Sequence, residues 1–230
     1  ECEELLHVAK TIVVLDHHRQ SSDNIDNALL SYIEPYASSA CEMVSEVLQY
    51  IVDDIKIPNL EASSLYAGIM IDTNNFMNKT GVRTFEAAAF LRRSGADITL
   101  VRKMFRDDME SYRAKAEIIS SAEVYRNKFA IARGVDLHIE SPTIIGAQAA
   151  NELLDINEVK ASFVLTTYNG RIYVSARSID EVNVQIIMER LGGGGHMNAS
   201  GAQFDHTDMD EAVADLKQVI DDVIEGGEIE

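Results

Sequence analysis

Four apolar and mostly β-branched residues, Ile12-Val13-Val14-Leu15, run without interruption and stop on Asp16-His17-His18. Such a run predicts a short, fully buried strand of a parallel sheet. Ahead of it, Leu5, Leu6 and Val8-Ala9 give residues 1–10 the apolar side of a helix end. A polar loop follows over Ser21–Asn27, then a second strand over Ala28–Ile33, closed by Pro35. Ser38 or Ser39 caps the next helix, with Glu42 in capping-box position and Met43, Val47, Leu48 and Ile51 as its stripe. A helix rich in small residues starts at Asn59 and carries the apolar run Leu65–Ile71 up to Asp72; its small residues suggest close packing against the sheet. Thr84 caps a helix that closes at Gly95, and Asp97 or Thr99 begins a short one ending near Phe105.

From Asp107 to Glu123 the pattern is a charged helix with Met109, Tyr112, Ala116 and Ile119 on one side, which reads as a connector. The texture then changes. Residues 123–126 and 129–132 predict a hairpin across Asn127-Lys128, followed by a helix over 143–154. Ala161–Thr167 and Arg171–Ala176 alternate as strands around Asn169-Gly170, a strong hairpin signal. A helix over Val184–Leu191 runs into the glycine loop Gly192–Gly195, and Asp208 caps a last helix to about Glu225. The expected organisation is α/β: a truncated parallel-sheet domain over 1–106, a connecting helix over 107–123 and a smaller α/β domain over 124–230.

Composition narrows the function classes. Hydrophobic residues make up 46% and charged residues 25%, the balance of an ordinary globular protein. No apolar run approaches the roughly 20 residues needed to span a bilayer, and Glu1, Glu3 and Glu4 have the wrong charge for a signal peptide. Cys2 and Cys41 make no disulfide framework, which points to a reducing, cytoplasmic setting. With 20 basic against 38 acidic residues, the net charge is −18. A surface of that sign repels a long phosphate backbone, so long nucleic acid is not the expected partner. A small, doubly charged ligand is easier to accept.

Two stretches carry chemistry. Asp16, His17 and His18 stand at a strand's carboxyl end, where active sites of open α/β sheets gather. With Asp72 behind a second apolar run, they form a set of imidazole and carboxylate donors suited to a metal; taken alone, the triplet also fits a strand-end turn with a buried histidine. The second stretch is Gly192-Gly193-Gly194-Gly195-His196. Lacking Cβ atoms, it lets backbone N–H groups approach a phosphate or a base edge, although a glycine run is also a common flexible turn. Nearby Ser175 and Arg177 offer a hydroxyl and a guanidinium. His7, His138 and His206 read as ordinary surface or packing residues.

These motifs resemble a known family. Leu15-Asp16-His17-His18-Arg19 is similar to the signature triplet of the DHH phosphoesterases, Ile71-Asp72-Thr73 to their last metal-binding aspartate, and Gly192–His196 to the glycine loop of the associated DHHA1 domain. The wording of residues 34–39, 84–88 and 175–185 resembles the cyclic-di-AMP phosphodiesterase branch. The resemblance implies His17 and Asp72 as metal ligands, Asp16 as an orienting carboxylate, and His18 facing the phosphate or the leaving oxygen. It implies two Mn²⁺ ions, with Mg²⁺ possible, and hydrolysis of cyclic di-AMP to linear pApA in a cleft between the domains. Ser175, Arg177, Gly192–Gly195 and His196 then bind substrate. The family's site also uses an earlier His/Asp motif and another aspartate, expected upstream of residue 1. Two protein ligands cannot hold a two-metal centre, so the chain is expected to be an incomplete fragment, nearly inactive alone. The parent is expected to be a membrane-anchored bacterial protein with this part in the cytoplasm, and an exposed strand edge allows a homodimer. The alternatives are a short-oligonucleotide nuclease or pAp phosphatase of the same superfamily, and a catalytically inactive nucleotide-binding module.

Overall fold

A computed structural model describes residues 3–18, 25–51, 55–135, 137, 139–179, 181–205 and 208–229. Cys2, Arg19, His138, Asp180 and His206, with residues 21–24 of the expected polar loop, lie outside the described residues. The chain divides into two compact units, Glu1–Arg106 and Asp107–Glu230. Among the described residues no helix is long and apolar enough to cross a membrane.

In the first unit, α1 (Glu3–Val8) precedes two parallel strands, β1 (Val13–Asp16) and β2 (Leu30–Ile33), in register from Val13 opposite Leu30 to Asp16 opposite Ile33. The strand expected to be fully buried is not. Val13 is 53% exposed and the rest of β1 is half-buried, because among the described residues β2 is its one strand partner and α2 the helix packed on it. Four helices follow: α2 (Ala40–Ile51), α3 (Asn59–Asp72), α4 (Val82–Arg93) and α5 (Ile98–Met104). The small residues of α3 serve helix packing, not sheet packing. Ala62 and Ile69 join Ala87, Leu91 and Ala96 in the core, and a Cβ on Gly68 would stand 2.3 Å from Cys41 Sγ.

Local chemistry sets the helix starts. Ser39 Oγ accepts the Glu42 N–H at 3.0 Å, and Ser38 donates to the Glu42 carboxylate, all three residues buried. Ile51, the last member of the expected stripe, is exposed. Thr84 is not the cap of α4: the helix starts at Val82, and Thr84 reaches back to accept the Gly81 N–H at 3.1 Å. Gly95 has the left-handed φ of +105° expected of a helix terminator, and Asp97 caps α5 by accepting from Thr99 and Leu100.

In the second unit a six-stranded sheet lies between two helix layers. Its strands are β3 (Glu123–Tyr125), β4 (Phe129–Gly134), β5 (Ala161–Tyr168), β6 (Arg171–Ser178), β7 (Gly194–His196) and β8 (Ala199–Phe204), in the order β3-β4-β5-β6-β8-β7. Only β4 and β5 run parallel. The helices are α6 (Met109–Ser120), α7 (Pro142–Leu153), α8 (Val184–Arg190) and α9 (Met209–Glu225). Alternation along β5 fills both layers: Phe163 and Leu165 pack with Ile187 and Leu216 of α8 and α9, and Val164 packs with Ala149 of α7.

Helix α6, expected to connect the domains, packs within this unit and uses a different face from the predicted one. Ala114 and Ile118 are buried, whereas Met109 and Tyr112 are exposed. Lys115, bonded to Asp107 at 3.0 Å and to Glu152 of α7 at 2.7 Å, fixes that face. The first hairpin turns on Arg126 and Asn127 (φ +50° and +61°), one residue earlier than predicted, and the second on Asn169-Gly170 as expected. The glycine loop is a further correction: its second half is strand β7, paired with β8, neither of which the pattern revealed.

The β3–β4 hairpin is pinned to α9. Tyr125 donates to Asp221 at 2.7 Å, and the Arg126 guanidinium lies 3.0 Å from the same carboxylate. Arg126 first, and then Tyr125, hold the Asp221 carboxyl below the usual range. A depressed folded pKa gives stability that is present above the unfolded value of about 3.9 and is lost as pH falls through the folded one. Thermal unfolding of wild type and Asp221→Asn is therefore expected to differ most near neutral pH, with the gap closing below about pH 4. A gap independent of pH would remove the carboxylate from this role.

Candidate functional site

Strands β1 and β2 end side by side. The Glu34 N–H, just past β2, donates to the Asp16 carbonyl at 2.9 Å, so the residues after both strands leave from one edge. His17 is the first of them, and its Nε2 comes 3.7 Å from Asp72 Oδ2 at the last residue of α3. The histidine side chain is 13% exposed and the aspartate 38%. At 3.7 Å the two atoms are too far apart for a hydrogen bond. An imidazole nitrogen and a carboxylate oxygen thus face each other across a gap that a shared cation suits. The charge of Asp72 is felt at Cys41, whose thiol is pushed up by burial and then by that carboxylate.

His18 does something else. Its ring Nδ1 lies 2.7 Å from Asp16 Oδ1, and its backbone N–H donates to the same oxygen at 3.0 Å. The backbone bond first, and the ring bond next, hold the Asp16 carboxyl below its usual range. Asp16 therefore orients His18 and not His17. The two rings lie 4.4 Å apart at 50°.

The donor set suits a borderline or hard divalent ion, with one nitrogen and one oxygen ligand. Among the described residues no group of three or more His, Cys, Asp or Glu side chains comes together to cage a metal. The pair fits as part of a coordination shell and does not complete one.

The other predicted residues meet in the second unit. Arg177 lies opposite Ala199 of β8, which lies opposite His196 of β7. In the next row Ser175 lies opposite Gly201, which lies opposite Gly194. Directly opposed residues share a sheet face. One face thus carries Arg177 and His196 in one row and Ser175 above two glycines in the other. The Arg177 guanidinium donates to the Ala176 carbonyl at 2.8 Å, and burial pushes its pKa down. Among the described residues no carboxylate lies within ion-pair reach of it. A half-buried cation of this kind is suited to an anionic ligand.

The four glycines have different reasons to be glycine. Gly192 closes α8 in the left-handed region at φ +78°. A Cβ on Gly193 would stand 2.1 Å from the Gly201 carbonyl, and one on Gly195 would stand 2.7 Å from the Ala199 carbonyl. Gly194 alone of the four has an ordinary φ and open space where its Cβ would be. The sequence pattern did not reveal Gly201, because its partner strand was itself not recognised. It also did not bring Tyr36 and Phe85, which lie in the resembling segments 34–39 and 84–88, together with Phe76, because their grouping depends on turns after β2 and α3 that carry no periodic signal.

Comparison with known proteins places this geometry in a family. Residues 1–69 match the N-terminal domain of the DHH family, and residues 129–225 match the DHHA1 domain. The cyclic-di-AMP phosphodiesterase GdpP of Geobacillus thermodenitrificans is 44% identical over 226 residues, covering 98% of this chain and 34% of that protein. The cyclic-di-AMP phosphodiesterase PdeA of Listeria monocytogenes is 42% identical over 219 residues, covering 95% of this chain and 33% of that protein. The chain thus spans about a third of the length of these relatives. An exopolyphosphatase-related protein from Bacteroides fragilis shares the fold at a TM-score of 0.84 and 22% identity, over 96% of this chain and 66% of that one. With both domains matched in order along one chain, the protein belongs to the DHH/DHHA1 family.

Proposed function

We propose that this chain forms the DHH–DHHA1 part of a metal-dependent phosphodiesterase that hydrolyses cyclic di-AMP to linear pApA. The observation that carries the reading is the 3.7 Å approach of His17 Nε2 to Asp72 Oδ2, two ligand atoms facing one gap at the carboxyl edge of the sheet. The similarity to cyclic-di-AMP phosphodiesterases supports the choice of substrate. His17 and Asp72 would hold metal as part of a larger coordination shell. Held there, divalent metal, Mn²⁺ or Mg²⁺, would lower the pKa of water for attack and offset charge on the phosphoryl oxygens.

Hydrolysis adds water across one phosphodiester, breaking the bond to the 3′ oxygen and leaving a 5′ phosphate. Asp16 fixes His18 through Nδ1, and Nε2 of that ring is assigned to the phosphate or to the departing oxygen, to which it gives a proton. In the second unit Arg177 is assigned to a nucleotide phosphate or to stacking on a base. Ser175 and His196 donate to it, and the bare backbone at Gly194 lets the ligand approach closely.

The test is competition at fixed Mn²⁺ in the active protein between cyclic di-AMP, cyclic di-GMP, pApA and a 20-nucleotide DNA strand. Cyclic di-AMP is expected to have the highest kcat/KM. The protein's net charge of −18 disfavours the long strand. Preferred degradation of the strand would move the protein to the nuclease branch of the superfamily. Binding without turnover of any of the four would make it a nucleotide-binding module.

A further inference from the structure

An aromatic groove of about 590 Å³ opens in the first unit, lined by Tyr36 and Pro35 on one side and by Phe76, Met77, Lys79 and Phe85 on the other. Its walls are the segments that carry the candidate metal ligands onward. Tyr36 follows β2, whose end is bonded to Asp16, and the opposite wall begins directly after Asp72. Phe76 and Phe85 stack with centroids 5.8 Å apart and planes at 16°, and Tyr66 meets Phe76 edge-on. Phe85 is 58% exposed and Tyr36 93% exposed.

Rings left open to solvent at this level need an account, and the backbone beneath them makes chance unattractive. Asn74, Asn75, Phe76 and Lys79 all have left-handed φ, between +46° and +65°. Strain of this kind in non-glycine residues persists only where surrounding contacts enforce it, and it gathers at ligand clamps. Here Thr73 enforces it, donating to the Ile69 carbonyl at 2.7 Å and accepting the Phe76 N–H at 3.0 Å. The two walls are also tied together from behind. Arg83 of α4 makes a two-bond pair with Glu46 at 2.7 Å and lies 3.8 Å from Glu34, whose carboxylate accepts the Tyr36 N–H. The groove is therefore preorganised, with one ammonium, Lys79, in a lining that otherwise combines three aromatic rings with aliphatic and small residues.

We infer that this groove is a nucleobase-stacking subsite, in which a base lies between Tyr36 and the stacked Phe76–Phe85 pair while Lys79 meets its phosphate. Every base has a π-face, and stacking on aromatic side chains is a recurrent way of holding one. Flat rings with a single cation match the two parts of a nucleotide better than they match a peptide or a lipid. The inference rests on the reading of the protein as acting on a nucleotide, and its test is separable from catalysis.

The measurement is ligand binding by saturation-transfer NMR to this chain in EDTA, with AMP and ribose 5-phosphate as probes. AMP is expected to bind in the millimolar range or tighter, with saturation concentrated on its base protons, and ribose 5-phosphate is expected to bind more weakly. Tyr36→Ala and Phe85→Ala remove exposed rings, so both variants should keep the wild-type circular dichroism and weaken AMP at least about fivefold. Lys79→Ala should weaken AMP and ribose 5-phosphate alike. The inference is overturned if AMP does not bind saturably, if it binds no better than ribose 5-phosphate, or if both ring variants bind it as wild type does. Without metal in the assay, a failure here leaves the phosphodiesterase reading standing, and a failure of turnover leaves the groove standing.

Discussion

Replacing His17 with alanine is expected to lower cyclic di-AMP turnover about 10³-fold or more in the active protein, the scale on which lost charge stabilisation acts at a reaction centre. The fold should survive, because His17 follows the end of β1 and is absent from the core clusters around α3 and the sheet. Its one ion-pair partner among the described residues is Asp72. Removing the imidazole takes away half of the facing His17–Asp72 pair, whereas Asp16 and His18 keep their own contact. Asp72→Asn should do the same from the other side, and the double variant should be no worse than either single one, since both remove one function. His18→Ala should act on turnover while sparing metal affinity.

The second large effect is on stability, and it separates neighbouring glycines. Gly193→Ala places a methyl 2.1 Å from the Gly201 carbonyl and 2.6 Å from Ala202 Cα, both backbone atoms that cannot swing aside. Strand β7 would have to leave β8, at a cost of about 1–3 kcal/mol or more. Gly194→Ala, one residue on, meets open space at an ordinary φ and should leave the unfolding midpoint unchanged within error. If Gly194 faces ligand as proposed, its alanine variant should instead weaken nucleotide binding. Urea unfolding and nucleotide binding on the two variants check both halves. Equal loss of stability in both would refute the steric account.

These expectations show where sequence patterns carry information and where they do not. Local signals were legible: Asn169-Gly170 sets its hairpin by backbone conformation alone, and Asp97 and Asp208 cap their helices through their own side chains. The juxtaposition of His17 with Asp72 was legible because each follows a long apolar run that ends at an element's carboxyl terminus. Burial of β1 was not, since four apolar residues look the same whether a sheet has two strands or many. Strands β7 and β8 were hidden because Gly193, Gly195 and Gly201 interrupt the alternation that marks a strand, while their missing side chains are what lets the two backbones approach. The face of α6 was misjudged because its large apolar residues Met109 and Tyr112 set the expected stripe, whereas they are exposed and Ala114 and Ile118 are the residues that pack.

The metal claim is the centre of the account, and Mn²⁺ tests it directly on this chain. Titrated into isotopically labelled protein at substoichiometric levels, Mn²⁺ is expected to broaden the NMR signals of His17 and the end of α3 before those of any acidic surface patch. The effect should disappear from those signals in both His17→Ala and Asp72→Asn. Broadening spread evenly over the surface carboxylates, with His17 no more affected than the rest, would contradict the assignment of the facing pair as metal ligands.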